Sequence, residues 1–223
     1  MNAEETLAHV RALLLDFDGP VCSVFAGIPA AVVASQLRGI LADGGHTNLP
    51  EPVATSEDPF DVFRYAVTLG DDEARYVEAA FTAHEVEAIT TAAPTPGAHD
   101  LIQAWHQSGR PLAIVSNNST AAINTYLDLY NLRQSVDLIS ARTSADASQL
   151  KPRPHLLHQA ATVVDILPAE CAFIGDSLSD IEAAYAAGVQ FIGYANKPGK
   201  RAKFIAAGAD TITEVLTGLE VVS

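Results

Sequence analysis

Apolar residues along this chain come in short blocks that stop abruptly on polar ones. RALLLDF (11–17), PLAIVSNN (111–118), VDLIS (136–140), CAFIGDS (171–177) and VQFIGY (189–194) are runs of this kind, and ADTIT (209–213) is a weaker sixth. Runs this short and continuously apolar, without alternation, read as strands buried on both faces. Between them the spacing turns helical. GAHDLIQAWHQSG (97–109) stops on a glycine and STAAINTYLDLY (119–130) opens on a serine cap; 154–166, 179–188 and 198–208 follow. Buried strands alternating with helices predict an α/β fold, a Rossmann-like parallel sheet core flanked by helices.

One long stretch breaks the alternation. From Cys22 to about residue 93 no strand is evident. Residues 27–45, 57–70 and 71–90 read as helices, NLPEPVATSEDP (48–59) as a proline-rich loop, and TAAPTPG (91–97) as a hinge back into the α/β part. The expected organisation is a core of residues 1–21 and 94–223 with an all-helical cap, residues 22–93, inserted after the first strand.

In an open parallel sheet, ligands bind beyond the carboxyl ends of the strands. The first strand delivers Asp16 and Asp18 to that end, the second Ser116, Asn117 and Asn118, and the fourth Gly175, Asp176 and Ser177, with Asp180 opening the next helix. Lys151 precedes the helix from 154 and is the first lysine in the chain. Taken singly, each has a plain reading. Asp-Gly is a turn pair, a serine caps helices, acids favour helix starts, and a lysine is often solvated. Together they say more. Crowded carboxylates must share a cation or a proton. Oxygen-only ligands suit Mg2+, a lysine and a hydroxyl beside it make a phosphate cradle, and a neutralised aspartate can attack phosphorus.

Charge narrows the partners. The chain has 223 residues and a net charge of -14, the wrong sign for a general nucleic-acid binder. No apolar stretch reaches the ~20 residues of a membrane span, and MNAEETLAHV lacks the basic-then-apolar order of a leader. A cytoplasmic location and no membrane partner are therefore expected, with Cys22 and Cys171 as reduced thiols in apolar surroundings.

DFDG after an apolar strand, a serine ending the second strand, a lysine before a helix and GDSLSD after a later strand resemble, in order, the four motifs of the haloacid dehalogenase superfamily. The resemblance spans about residues 11–193, and the helical insertion resembles the small cap of phosphoglycolate phosphatase- and β-phosphoglucomutase-like members. It implies a Mg2+-dependent phosphatase acting on a small phosphorylated metabolite through an aspartyl-phosphate. Asp16 is then the nucleophile and Asp18 the general acid and later the base. Ser116 holds the phosphoryl group, and Lys151 balances its charge. Asp16, Asp176 and the carbonyl of Asp18 ligate the metal, supported by Asp180 through water or Lys151. Asn117 joins Ser116 and Lys151 on the substrate side. Arg38, one of few cap cations with Arg64, either reads a substrate anion or lies on a solvated helix face. NKPGKRAK (196–203) is either a solvent-facing cluster or a second anion site.

Other readings stay in view. A phosphomutase would return the phosphoryl group to substrate. A dehalogenase would need neither Asp18 nor GDSLSD, and a phosphonate hydrolase of this family would need a cap lysine, which 22–93 lacks. A phosphoacceptor signalling domain also clusters acids, a hydroxyl and a lysine, but carries no large insertion after its first strand. Two positions depart from the superfamily. Pro20 replaces a threonine or β-branched residue and removes a backbone donor, which predicts a tighter turn. Ser23 stands where an acid is frequent. A monomer or homodimer is expected.

Overall fold

In the computed structural model, residues 2–219 are described; Met1 and residues 220–223, assigned above to the core, lie outside them. Helix α1 (Ala3–His9) is fixed by a capping box, with Asn2 and Glu5 each accepting the other's backbone N–H. Strand β1 (Ala12–Leu15) follows, then the two-residue β2 (Cys22–Ser23). Four helices come next: α2 (Ala30–Asp43), α3 (Glu51–Thr55), α4 (Pro59–Leu69) and α5 (Asp71–Ile89). Asp58 caps α4 by accepting the Phe60 N–H at 2.8 Å, and Pro59 occupies the first turn, where its missing N–H costs nothing. Helix α5 opens on Asp71, Asp72 and Glu73, acids favoured by the helix dipole.

Strand β3 (Ala93–Pro94) returns the chain, pairing antiparallel with β2. The rest alternates: α6 (Ala98–Gln107), β4 (Leu112–Ser119), α7 (Thr120–Leu129), β5 (Leu138–Arg142), α8 (His155–Val163), β6 (Cys171–Gly175), α9 (Leu178–Ala187), β7 (Gln190–Tyr194), α10 (Lys200–Ala206) and β8 (Thr211–Thr213). Ser119 caps α7, accepting the Ala122 N–H at 3.2 Å.

All six larger strands are parallel, in the order β5–β4–β1–β6–β7–β8. The order reverses between β1 and β6, which opens a crevice at their carboxyl ends. Side chains alternate between two buried layers. Leu13, Leu15, Ile114 and Ile174 face one; Leu14, Val115, Phe173 and Phe191 face the other. Leu37, Phe63 and Phe81, from the helices between β2 and β3, continue that second layer, while Ala88 and Ile89 at the end of α5 join the first. Three details differ from the sequence reading. Helix α1 has no counterpart in it, α3 lies inside the expected loop 48–59, and the 91–97 hinge contains β3 clasped to β2. Among the described residues, no helix is long and apolar enough to cross a membrane.

Candidate active site

Register sets the site. Leu15 pairs with Ile114 on one side and Ile174 on the other, so Asp16, one residue beyond its pair, and Ser116 and Asp176, two beyond theirs, gather at the same carboxyl end of the sheet. The Asp16 N–H donates to Ile174 O at 2.9 Å, which carries the ladder one residue past β1. Two glycines let the backbones close in. A Cβ on Gly19, at φ +106°, would lie 2.3 Å from Asp176 Cγ, and one on Gly175 would lie 2.5 Å from Asp180 Cβ.

Lys151 is buried between two carboxylates, its Nζ 2.8 Å from Asp16 Oδ1 and 2.7 Å from Asp180 Oδ1. It also donates to Val115 O at 3.3 Å. Burial disfavours the ammonium, but the charges of Asp16 and Asp180 outweigh it and the Lys151 pKa lies above its ordinary value. Asp180 Oδ2 accepts from the N–H groups of Asp176 (3.0 Å) and Ser177 (2.9 Å) and from Ser177 Oγ (2.7 Å). Burial pushes Asp180 up, yet Lys151 and the Ser177 donors hold it below the usual carboxylate range. Asp16 is raised well above that range, by burial first and the Asp180 charge second, with Lys151 opposing. Asp16 Oδ1 also accepts the Phe17 N–H at 2.7 Å.

Asp18 Oδ1 accepts the Val24 N–H at 2.9 Å, and burial pushes its carboxyl up to about 6. Asp176 is raised by burial, opposed by an ion pair from Oδ2 to Lys200; Asn196 Nδ2 donates to the same oxygen at 3.3 Å. Ser116 Oγ donates to Asn118 Oδ1 at 3.1 Å and accepts the Asn118 N–H at 3.2 Å.

Single oxygens of Asp16, Asp176 and Asp180 lie within 4.8 Å of one another. A cleft of about 180 Å³ exposes Asp16, Asp18, Ser116 and Asp176 from the strand ends, Lys151 from the segment before α8, and Asp58, Phe60 and Arg64 from α4 and its cap residue. Larger grooves lie elsewhere. One of about 440 Å³ at the opposite end of the sheet, lined by Arg11, His158 and Glu170 among others, gathers no carboxylate cluster.

Asp16, Asp18, Ser116, Lys151, Asp176 and Asp180 thus share one cleft, with the Asp18 carboxylate outside the three-oxygen cluster. Of the two remaining expected residues, Asn117 also lines the cleft, and its amide clasps the Lys151 backbone, donating to its carbonyl at 3.0 Å and accepting its N–H at 2.8 Å. Arg38 does not line the cleft; its guanidinium donates to Ser56 O at 2.7 Å and Val53 O at 3.4 Å, closing the loop around α3. The cap cation in the cleft is Arg64, 42% exposed and 3.3 Å from Asp61. Lys200, from the basic stretch, turns to Asp176 instead of solvent. Its signal in the sequence was a lysine on the catalytic side after β7, which the four motifs do not include. After Pro20 the turn closes through N–H groups that remain: Val21 and Cys22 donate to Phe17 O, each at 3.1 Å, and Gly19 to Cys22 O at 2.7 Å. Cys22 and Cys171 are free and buried.

Comparison with known proteins agrees with the geometry. A family model described as haloacid dehalogenase-like hydrolase matches residues 10–188. A phosphoglycolate phosphatase of Cupriavidus necator is 34% identical over 128 residues, 56% of this chain and 53% of that protein. The phosphoglycolate phosphatase of Escherichia coli K12 is 31% identical over 98 residues, 44% of this chain and 38% of that one. The match thus spans about half the length of these curated relatives or less. Among solved structures, CbbY from Rhodobacter sphaeroides in complex with phosphate superposes with a TM-score of 0.66 at 21% identity, covering 94% of this chain and 96% of that one. A HAD family hydrolase from Deinococcus radiodurans, with bound phosphate and sodium, gives 0.58 at 26% identity, covering 92% and 91%.

Proposed function

The chain belongs to the haloacid dehalogenase-like hydrolase family, and from that premise we propose that it is a phosphatase that hydrolyses a phosphomonoester of a small metabolite in the cytoplasm. The observation that carries the reading is the convergence of Asp16, Lys151, Asp176 and Asp180 with Ser116 and Asp18 in one cleft of about 180 Å³. The relatives named phosphoglycolate phosphatase support phosphomonoester chemistry.

The donors fit a hard cation. Three carboxylate oxygens within 4.8 Å, with no sulfur or imidazole among them, are the set Mg2+ prefers. Asp180 already spends one oxygen on Lys151 and the other on Ser177 and its neighbours. Asp16 and Asp176 are therefore the side chains that would hold Mg2+, the carbonyl of Asp18 joins them by the resemblance of the motif, and Asp180 anchors Lys151 beside them. Bound there, the cation would neutralise carboxylate and phosphoryl charge together.

In the proposed reaction the Asp16 carboxylate attacks phosphorus and displaces the leaving oxygen, forming an aspartyl-phosphate. Asp18, with its carboxyl pushed up to about 6, carries the proton the leaving oxygen takes. Deprotonated, it then takes a proton from the water that attacks phosphorus and releases phosphate. Ser116 and the Lys151 ammonium hold the phosphoryl oxygens through both halves. Arg64 and Asp58 on the cap side face what lies beyond the phosphate, which makes them the residues that select the substrate.

Steady-state assay with an aryl phosphate tests the reading. EDTA should abolish turnover, Mg2+ should restore it, and product should accumulate over many cycles. Full activity in metal-free buffer contradicts the metal assignment. One labelling event per molecule and then none would make the protein a phosphoacceptor domain instead.

A further inference from the structure

A second set of buried charges lies beside the cleft, and neither the motifs nor the proposed reaction uses it. Glu85, near the end of α5, is wholly buried. Its Oε1 accepts from Asn118 Nδ2 at 3.0 Å; its Oε2 accepts the Ser119 N–H at 2.9 Å and an N–H of Arg142 at 2.6 Å. Arg142, at the end of β5, is equally buried and extends the set. Its Nε donates to Asn117 O at 3.1 Å, and its Nη1 donates to Thr82 Oγ1 at 3.2 Å and pairs with Glu78. The rings of Phe63 and Phe81 close over it, 5.5 and 4.6 Å from Cζ.

We propose that Glu85, a cap residue, is a positioning residue for phosphoryl transfer: it fixes the amide of Asn118, and through Asn118 the hydroxyl of Ser116. The inference rests on the reading of Ser116 as the phosphoryl-holding hydroxyl. An amide has a donor end and an acceptor end, and its neighbours decide which way it points. A carboxylate accepts only. Glu85 therefore takes the NH2 end of Asn118 and leaves Oδ1 facing Ser116, where it receives the hydroxyl hydrogen while no phosphate is bound; the Asn118 N–H holds Ser116 Oγ from behind, so the hydroxyl can turn its one hydrogen to a phosphoryl oxygen without Oγ moving. The Ser119 N–H on Oε2 holds the next residue of that segment to the same carboxylate. Arg142 fixes the carboxylate from the far side and, through Asn117 O, the start of the segment, whose side chain in turn clasps the Lys151 backbone. A helix between β2 and β3 thus sets the place of the segment that carries Ser116.

Four full-length variants test this: Ser116→Ala, Asn118→Ala, Glu85→Gln and Glu78→Gln. In Glu85→Gln the new amide would present an NH2 toward donors that the carboxylate now accepts from. Glu78→Gln would weaken the Arg142 pair without touching residues 116–119. With an aryl phosphate and Mg2+, Glu85→Gln and Asn118→Ala should each lower kcat/KM by about 10–100-fold, the cost of misplacing a reacting contact. Both should weaken inhibition by inorganic phosphate, and Glu78→Gln should do neither. Glu85→Gln added to Ser116→Ala should cost nothing further, because both act on one group. The proposal is overturned if Glu85→Gln keeps the wild-type rate, if Glu78→Gln falls with it, or if its loss adds in full to that of Ser116→Ala. Should Glu85→Gln not fold, Asn118→Ala with and without Ser116→Ala carries the same expectation and the same refutation. Ser116→Ala at the wild-type rate would remove the premise itself. That result is distinct from a slow Ser116→Ala beside a fast Glu85→Gln, which removes the inference alone.

Discussion

Lys151 sits between Asp16 and Asp180; Arg142 sits between Glu78 and Glu85. Both cations are buried, both hold two carboxylates, and both lie near Ser116, yet their surroundings are opposite. Around Lys151 the acids are in excess. Asp18 and Asp176 join the pair, Lys200 answers Asp176 alone, and Asp16, Asp18 and Asp176 are all pushed above the usual carboxylate range by burial. Around Arg142 the donors and acceptors are matched, with Glu78, Thr82, Glu85 and Asn117 O each receiving an N–H and aromatic rings sealing the rest. A matched set holds structure in place. A set with surplus negative charge facing a cleft invites a cation and an electrophile.

The contrast breaks most visibly at the rate. Asp18→Asn keeps an acceptor for the Val24 N–H but cannot give or take the proton. Turnover should fall by about 10²–10⁴-fold, the usual worth of general acid–base catalysis, and by less when the leaving group needs no proton. Stability should move the other way in metal-free buffer. The Asp18 carboxyl, at about 6 when folded against 3.8 unfolded, holds its proton more tightly in the native state. Wild-type stability therefore falls as pH rises through that window, and Asp18→Asn should show a smaller fall, the part left by Asp16 and Asp176, which are raised as well. Thermal melts across that range, beside single-turnover rates, check both halves.

Arg142→Met should instead lower stability. It removes the cation from two carboxylates, one of them wholly buried, and breaking a buried pair from one side costs about 3–5 kcal/mol. Denaturant unfolding of the two proteins side by side reads that loss. A variant as stable as wild type would mean that Glu78 and Glu85 were never held by Arg142.

The cleft was legible in the sequence because its residues follow strands, and strands announce themselves as apolar runs that end abruptly. Asp16, Ser116 and Asp176 could be placed at one end of the sheet before any coordinates, since the carboxyl ends of parallel strands lie together. Glu85 had no such marker. It lies in HEVEAI of α5 among acids that face water, and helical spacing alone does not separate the one carboxylate turned onto β4 from its neighbours. The capping box of α1 was present in Asn2 and Glu5, but the first ten residues carry no long apolar period to mark a helix. Strands β2 and β3, of two residues each, are too short for any period. Arg38 and Arg64 both read as cap cations; which of them meets the cleft depends on how α3 folds back on α2, and proline spacing does not encode that.

The central claim is that the surplus acids serve a covalent phosphoryl transfer to Asp16, and peptide mass spectrometry tests it most directly. The protein is mixed with an aryl phosphate and Mg2+, quenched in acid during turnover and digested. The account predicts a phosphoryl adduct on the peptide that carries Asp16, absent with Asp16→Asn and absent when EDTA replaces Mg2+. A phosphoryl group on Ser116, or steady turnover by Asp16→Asn with no adduct at all, would contradict it.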